Sequence, residues 1–493
     1  MFNTLADRER LLNYFATHVH DEYFSKHFGA VLGPIFVQSY FAVLKCNQNS
    51  PVAMGHGHIF QNFTQDREFD WGWSVAEMKV ARQDLFYRLE QDSSFGEVWC
   101  KSYYDGFAEF DLVARSQEKI SFDSLPNEEI ITCLHTLIEA GAKQAHGYTV
   151  DCLLSSAGDH WFAEYAQKYL GRPITEDEVV LLREATHRTF VNQYHVRIVE
   201  AALALEQGKD ITEMLSSIHH DYYWVENNYL RATPKTVAEI LIEVKSIADP
   251  HAEYTKEQTR LAEIITKKKM WLDDMNASDL LRAFLKFSDE CIFIQDCRKQ
   301  AVLRLNHFIF SALDILAARL NFDPELIRYI MFYELEDCIK NPKKYEPIAR
   351  ERQAGCLILV DRDGMAIFSR DELTHLDLSD FFPDDSTIIE AVGTVASPGK
   401  VRGVARVILG SDQFGQFQKG DILITNQTTP DFVPLMKQAA AIIAEQGGIT
   451  SHAAIVSREL GIPCLVGVKK AMSIFAGGGM VEVDAEKGIV RKI

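Results

Sequence analysis

The sequence predicts a multidomain chain: an all-α body over residues 1–345, a linker with a β-hairpin over 346–390, and a compact α/β domain (β/β/α) over 391–493. Three observations predict it. Apolar residues recur at helical spacings of three and four through most of the first 345 residues. Beyond residue 391 the pattern changes to short apolar runs separated by glycine-bearing turns, as expected of strands alternating with helices. The 493 residues are enough for about two to four such units.

In the body, Thr175-Glu176-Asp177-Glu178 is a capping box. It opens a helix expected to run to about Glu206, with Gly208 just beyond. Tyr254 to Met275 and Ser278 to Phe287 also read as helices. Residues 294–320 form a further long one, because Val302, Leu305, Ile309, Leu313, Leu316 and Leu320 share a face. Asn321-Phe322-Asp323-Pro324 ends it, with Asp323 placed as the next N-cap and Pro324 at the first helical position. Two stretches resist the helical pattern. Residues 46–75 hold Asn47-Gln48-Asn49-Ser50-Pro51 and His56-Gly57-His58 among Phe60, Phe63, Phe69, Trp71 and Trp73, which reads as a ring-rich loop. Residues 153–161 form a second polar break that ends on His160 and Trp161. In the linker, Leu357 to Val360 and Met365 to Phe368 flank Asp361-Arg362-Asp363-Gly364 as a hairpin, and Phe382 to Ser386 reads as a hinge.

In the last domain, Ala439 to Ala444 is an apolar strand that runs into the turn Gly447-Gly448. Ala453 to Leu460 reads as a helix stopped by Gly461 and Pro463. Ile462 to Val468 is a second strand, and Met480 to Val490 a hairpin around Glu486-Lys487-Gly488. His452 therefore falls at a helix start, where free backbone N–H groups and the helix dipole favour an anion. The two glycines let the backbone approach a bulky ligand closely. A lone histidine at a helix start is ordinarily just a polar residue, and Thr450 or Ser451 would cap the helix better.

The whole run from Gly447 to Pro463 resembles the phosphohistidine segment of the PEP-utilising enzymes, the family of PEP synthase, pyruvate phosphate dikinase and rifampicin phosphotransferase. Gly393 to Gly403 resembles the entry to that family's swivelling domain, and Thr428 to Met436 its next landmark. Cys297 to Leu320 and Pro324 to Leu335 resemble, in pattern only, the long helix and short segment that precede it. The resemblance implies that His452 is a nucleophile and then a leaving group. Gly447, Gly448 and the helix start would hold phosphate oxygens, and Thr450 and Ser451 would bond the ring or the phosphoryl group. The position of Thr450 is also a regulatory phosphorylation site in the dikinases. Arg458 would balance phosphate charge, or else be an exposed arginine near Glu459. Cys464 departs from the family pattern and reads as a core residue.

The family also uses an ATP-grasp module and an acceptor module. The first 345 residues show no glycine-rich phosphate loop and no ATP-grasp pattern, and no C-terminal barrel is expected. The expectation is a phosphotransferase with no cofactor of its own, charged by a separate ATP-grasp protein that binds ATP and Mg. A small molecule in the helical body would accept the phosphate. The pocket candidates are His160, Trp161, His56 and His58, with plain packing the stronger reading for each. His56 and His58 lack a third ligand, so no metal site is expected. His187, Arg188 and His195 fall on one expected helix, and His219 to Trp224 suit either a pocket wall or core. The alternative is a non-enzymatic phosphocarrier whose phosphohistidine state controls partner binding.

Composition closes off other classes. The net charge of −19 argues against nucleic acid as a partner. Residues 391–493 hold eleven basic and eight acidic side chains, a net of +3, which leaves −22 for residues 1–390. No long uninterrupted apolar run or signal-peptide pattern is visible. Nine dispersed cysteines without a CxxC pair suit reduced thiols, so a cytoplasmic location is expected.

Overall fold

The computed structural model describes residues 9–14, 23–29, 58–62, 68–150, 160–361, 364–373, 388–408, 410–428, 432–445, 447–448 and 451–493. The chain divides into two compact units, Met1–Thr374 and His375–Ile493.

The first unit is built mainly of helices: α1 (Val75–Gln91), α2 (Phe95–Gln117), α3 (Asn127–Ala142), α4 (His160–Leu170), α5 (Glu176–Arg183), α6 (Phe190–Glu206), α7 (Thr212–Tyr222), α8 (Val237–Ser246), α9 (Pro250–Asp274), α10 (Asp279–Leu320) and α11 (Pro342–Ala354). The axis of the unit is α10, 42 residues long, which joins the two stretches expected as separate helices. Ser278 caps it, and Asn321 ends it in the left-handed conformation that asparagine tolerates. It is long and apolar enough to cross a membrane, but 72% of its apolar window is buried inside the unit, as expected of a core helix. Phe284, Ile294, Leu305, Leu313 and Leu316 of α10 share one core with Trp99, Tyr103 and Phe110 of α2 and Ile130, Leu134 and Ile138 of α3. Inside this apolar seam, the buried Arg304 binds Asp111 of α2 and Glu118 just after it, so its charge is paired. A smaller core gathers Phe190, Tyr194 and Ile198 of α6 with Leu215 and Ile218 of α7, Trp224 and Ile240. The His219–Trp224 stretch thus supplies core: Tyr222 and Trp224 are 9% and 1% exposed.

Three expectations need correction. The body is not all-α. It carries an antiparallel sheet ordered β1-β3-β2-β4-β5, with β1 Tyr23–Gly29, β2 His58–Asn62, β3 Glu68–Ser74, β4 Cys356–Asp361 and β5 Gly364–Ser369. The ring-rich stretch read as a loop contains two of these strands. The expected hairpin forms as β4 and β5, but it does not belong to a linker. β4 pairs with β2 from His58↔Val360 to Asn62↔Cys356, which binds the hairpin into the first unit. Residues Cys356 to Val360 are fully buried there. Before it, Arg352 of α11 is locked to Glu334 in a buried, two-bond ion pair. The expected hinge at Phe382 to Ser386 lies outside the described residues. Finally, the helix from the Thr175 capping box stops at Arg183. A second helix starts at Phe190, capped by Thr189 and with its first N–H taken by Asp296 of α10.

The second unit is a mixed eight-stranded sheet ordered β6-β13-β12-β8-β9-β10-β11-β7. The strands are β6 (Glu390–Val392), β7 (Thr394–Ser397), β8 (Lys400–Val407), β9 (Ile422–Thr425), β10 (Ala441–Ala444), β11 (Cys464–Val466), β12 (Met480–Asp484) and β13 (Ile489–Lys492). β8, β9, β10 and β11 run parallel, and antiparallel strands close both edges. Both faces of β9, β10 and β11 are covered, so these strands are buried and apolar along nearly their whole length. Ile422, Ile424, Ile443 and Leu465 face one core with Phe475, whereas Leu423, Ile442 and Val466 face another with Phe432 and Met436. The helix α12 (His452–Leu460) lies on the second face through Ala453 and Ala454.

Candidate functional site

The site lies at the carboxyl ends of the parallel strands, where open α/β sheets place their ligands. β10 ends at Ala444, and the chain turns through Gly447 and Gly448 into α12. Gly447 has φ +107°, and a Cβ there would meet the Ser451 Cβ at 2.7 Å, so only glycine fits. Ser451 is the N-cap of α12, with its Oγ accepting from the Ala454 N–H at 3.4 Å. Its own N–H donates to the Gly448 carbonyl at 2.9 Å. His452 is therefore the first residue of a nine-residue helix. At the other end, Gly461 takes φ +66° and the Ile462 N–H closes onto the Ser457 carbonyl.

The second component comes from the end of β9. Thr428 is buried, and its Oγ1 lies 2.8 Å from Nδ1 of the half-buried His452. This contact fixes the ring's rotation and engages one of its two nitrogens. In the sequence, Thr428 stood only within a family landmark. Its proximity to His452 follows from the parallel pairing of β9 and β10, which leaves no trace in local spacing.

The remaining site candidates are dispersed. Thr450 and His56 lie outside the described residues. Arg458 donates to the Ala396 carbonyl on β7 at 3.4 Å. Six residues along α12 from His452, it falls on a different face of the helix. Cys464 is fully buried, and burial pushes its thiol up to about 11, so it is inert packing. His160 opens α4, and His58 opens β2. Trp161 is core: it is 3% exposed, stacks on Phe86 at 5.7 Å, and has Arg82 and Arg183 each 6.0 Å from its ring. His187 and Arg188 precede α6 instead of sharing a helix with His195. His187 sits between Asp289 and Glu290 at 3.7 and 3.6 Å, and its hydrogen bond with Glu290 raises its pKa above the ordinary histidine range. One cavity lies between α2, α3 and α10, lined by Gln144, Tyr148, Arg298 and apolar neighbours. It has room for about one water molecule.

The second unit is thus an α/β domain that presents a histidine at a helix start. Residues 417–488 match the family model described as "PEP-utilising enzyme, mobile domain". By this match the C-terminal unit is similar to the mobile domain of PEP-utilising enzymes. A protein of Archaeoglobus fulgidus named "Probable phosphoenolpyruvate synthase" is 53% identical over 98 residues, covering 20% of this chain and 13% of that one. The "Phosphoenolpyruvate synthase" of Pyrococcus furiosus is 52% identical over 100 residues, 20% of this chain and 12% of its own. That of Synechocystis is 42% identical over 104 residues, 21% and 13% respectively. The chain thus spans about an eighth of the length of these relatives. Among solved structures, the holo-form of Thermococcus kodakaraensis aconitase X aligns at 20% identity, over 21% of this chain and 98% of that chain. Its TM-score of 0.17 carries no argument about fold or function.

Proposed function

We propose that this chain transfers phosphoryl groups through a phosphohistidine formed on Nε2 of His452. The observation that carries this is the 2.8 Å contact between the Thr428 Oγ1 and His452 Nδ1. When Nδ1–H donates to that oxygen, Nε2 keeps its lone pair. Nε2 then attacks the phosphorus of a donor, the N–P bond forms, and the donor's P–O bond breaks with its electron pair leaving on oxygen. In the onward step the N–P bond breaks. Its pair returns to Nε2, and Nδ1 keeps its proton on Thr428 throughout. Gly447, Gly448 and the first turn of α12 offer backbone N–H groups to the phosphate, with Ser451 beside them.

We further propose that the donor is a separate ATP-grasp protein holding ATP and Mg, and that the reaction is cytoplasmic. The seven described cysteines are all free thiols, which suits a reducing compartment. The acceptor in this reading is a small molecule bound by the first unit. In a second reading the phosphorylated domain signals to a partner and the body holds no acceptor. The test mixes the chain with ATP and a candidate ATP-grasp partner and seeks an acid-labile, base-stable phosphate. Labelling is expected on wild type and absent from His452→Ala. Equal labelling of the two would remove His452 from the mechanism.

A further inference from the structure

Among the described residues, three that are not glycine hold a positive φ: Asn276 at +44°, Asn321 at +50° and Lys470 at +59°. Asparagine enters this region readily, because its short amide can bond locally. Lysine has no such compensation, so the fold holds Lys470 there at a cost. Strain of this kind concentrates at functional sites.

The location of Lys470 suggests what that function is. β11 runs parallel to β10, with Ala444 opposite Val466, so the chain leaves both strands at the same end of the sheet. The two exits are knitted together. The Val468 N–H donates to the Ala444 carbonyl at 3.2 Å, and the Glu445 carboxylate accepts from the Met472 N–H at 3.0 Å. A Cβ on Gly467 would stand 3.6 Å from the Gly447 carbonyl. The exposed Lys469 and Lys470 therefore border the glycine turn that leads into His452.

The other basic residues of this unit are placed elsewhere. Lys400, Arg402 and Arg491 surround Glu482. Arg406 pairs with Asp421 just before β9, and Lys419 and Lys437 lie at the amino ends of β9 and β10. Arg458 reaches back to β7, Lys487 is in the β12–β13 turn, and Lys492 lies over Phe475. Lys469 and Lys470 are thus the two cations at the carboxyl ends of β9, β10 and β11. A phosphoryl group on His452 brings roughly two negative charges to that end.

We propose that Lys470, with Lys469 beside it, is the electrostatic partner of the phosphoryl group on His452. Its left-handed backbone lies at the strand end that borders the glycine turn. This rests on the reading of His452 as the phosphoryl acceptor, and the experiment separates the two. Phosphoramidate charges histidine without a protein donor. The Nε2 lone pair forms the N–P bond, the reagent's P–N bond breaks, and its pair leaves as ammonia. The pH titration of the 31P resonance then reports the ionisation of the phosphoryl group in the full-length chain.

Lys470→Gly removes the charge and relieves the φ strain, so it is expected to melt no lower than wild type. It should raise the phosphoryl ionisation midpoint by about half a pH unit, the effect of a unit charge about 6 Å away in a solvent-like dielectric. Lys470→Arg should restore the wild-type midpoint, and Lys419→Ala should leave it unmoved. Equal midpoints for wild type and Lys470→Gly, both phosphorylated on His452, would overturn the assignment of Lys470. A wild type that takes no label, or a His452→Ala variant that labels equally, would overturn the His452 reading and the assignment with it.

Discussion

Replacing Thr428 by valine keeps the shape of a buried side chain and deletes the hydroxyl that meets the His452 ring. At 2.8 Å this is a well-formed hydrogen bond. Such a bond contributes about 0.5–1.5 kcal/mol net, and losing it also frees the ring to rotate and change tautomer. His452 is half-buried, so water replaces part of what is lost. A figure of about 1–1.5 kcal/mol on the transition state follows, or charging about five- to twelvefold slower. The assay is the initial rate of phosphohistidine formation with excess phosphoramidate, followed by the 31P signal. Thr428→Ser retains the hydroxyl and should recover most of the rate. A Thr428→Val rate within twofold of wild type would refute the claim that this contact prepares Nε2. So would a serine variant as slow as the valine one.

Two further outcomes test the packing around the site and the body. Gly447→Ala places a methyl group against Ser451 at a φ of +107°, so it should destabilise the second unit by about 1–3 kcal/mol and slow charging; an unchanged melt with normal labelling would contradict the geometry. Asp296 is held up to about 6 by burial, against hydrogen bonding from the Phe190 N–H and the nearby Lys299 charge. A raised carboxyl stabilises the fold below its ordinary value of 3.8, and that contribution fades as pH climbs towards about 6. Asp296→Asn should therefore gain about 1–2 kcal/mol over wild type at pH 7 and little at pH 4, after allowance for partial exposure; denaturant melts at the two pH values would show it, and a gain that does not depend on pH would refute it.

Much of the second unit is legible locally. Gly447 and Gly461 mark a turn and a helix stop, and the all-apolar runs at 441–444 and 464–466 read as buried strands. The first unit misled in a specific way. Phe69, Trp71 and Trp73 alternate at period two, which is a strand signal, but the sheet they join is completed on the far side of β2 by β4, nearly 300 residues later. The Asn- and His-rich residues before them gave the stretch the look of a loop. The capping box at Thr175 correctly marked a helix start, but nothing nearby announced that α5 would stop after eight residues. Asp296 takes the first N–H of α6 from α10, a contact made in three dimensions only.

The sequence by itself singled out His452 as the side chain proposed to carry the phosphoryl group. A histidine between a glycine turn and a helix is defined by residues close together in the chain, and the anion preference of a helix start is a local property. Only the tertiary structure decided what surrounds that histidine. Thr428 and Lys470 lie 24 and 18 residues from it in the chain. They reach the same place because β9, β10 and β11 run parallel and release their chains at one end of the sheet. Parallel strands need long crossovers, so the partners they bring together are necessarily distant in sequence.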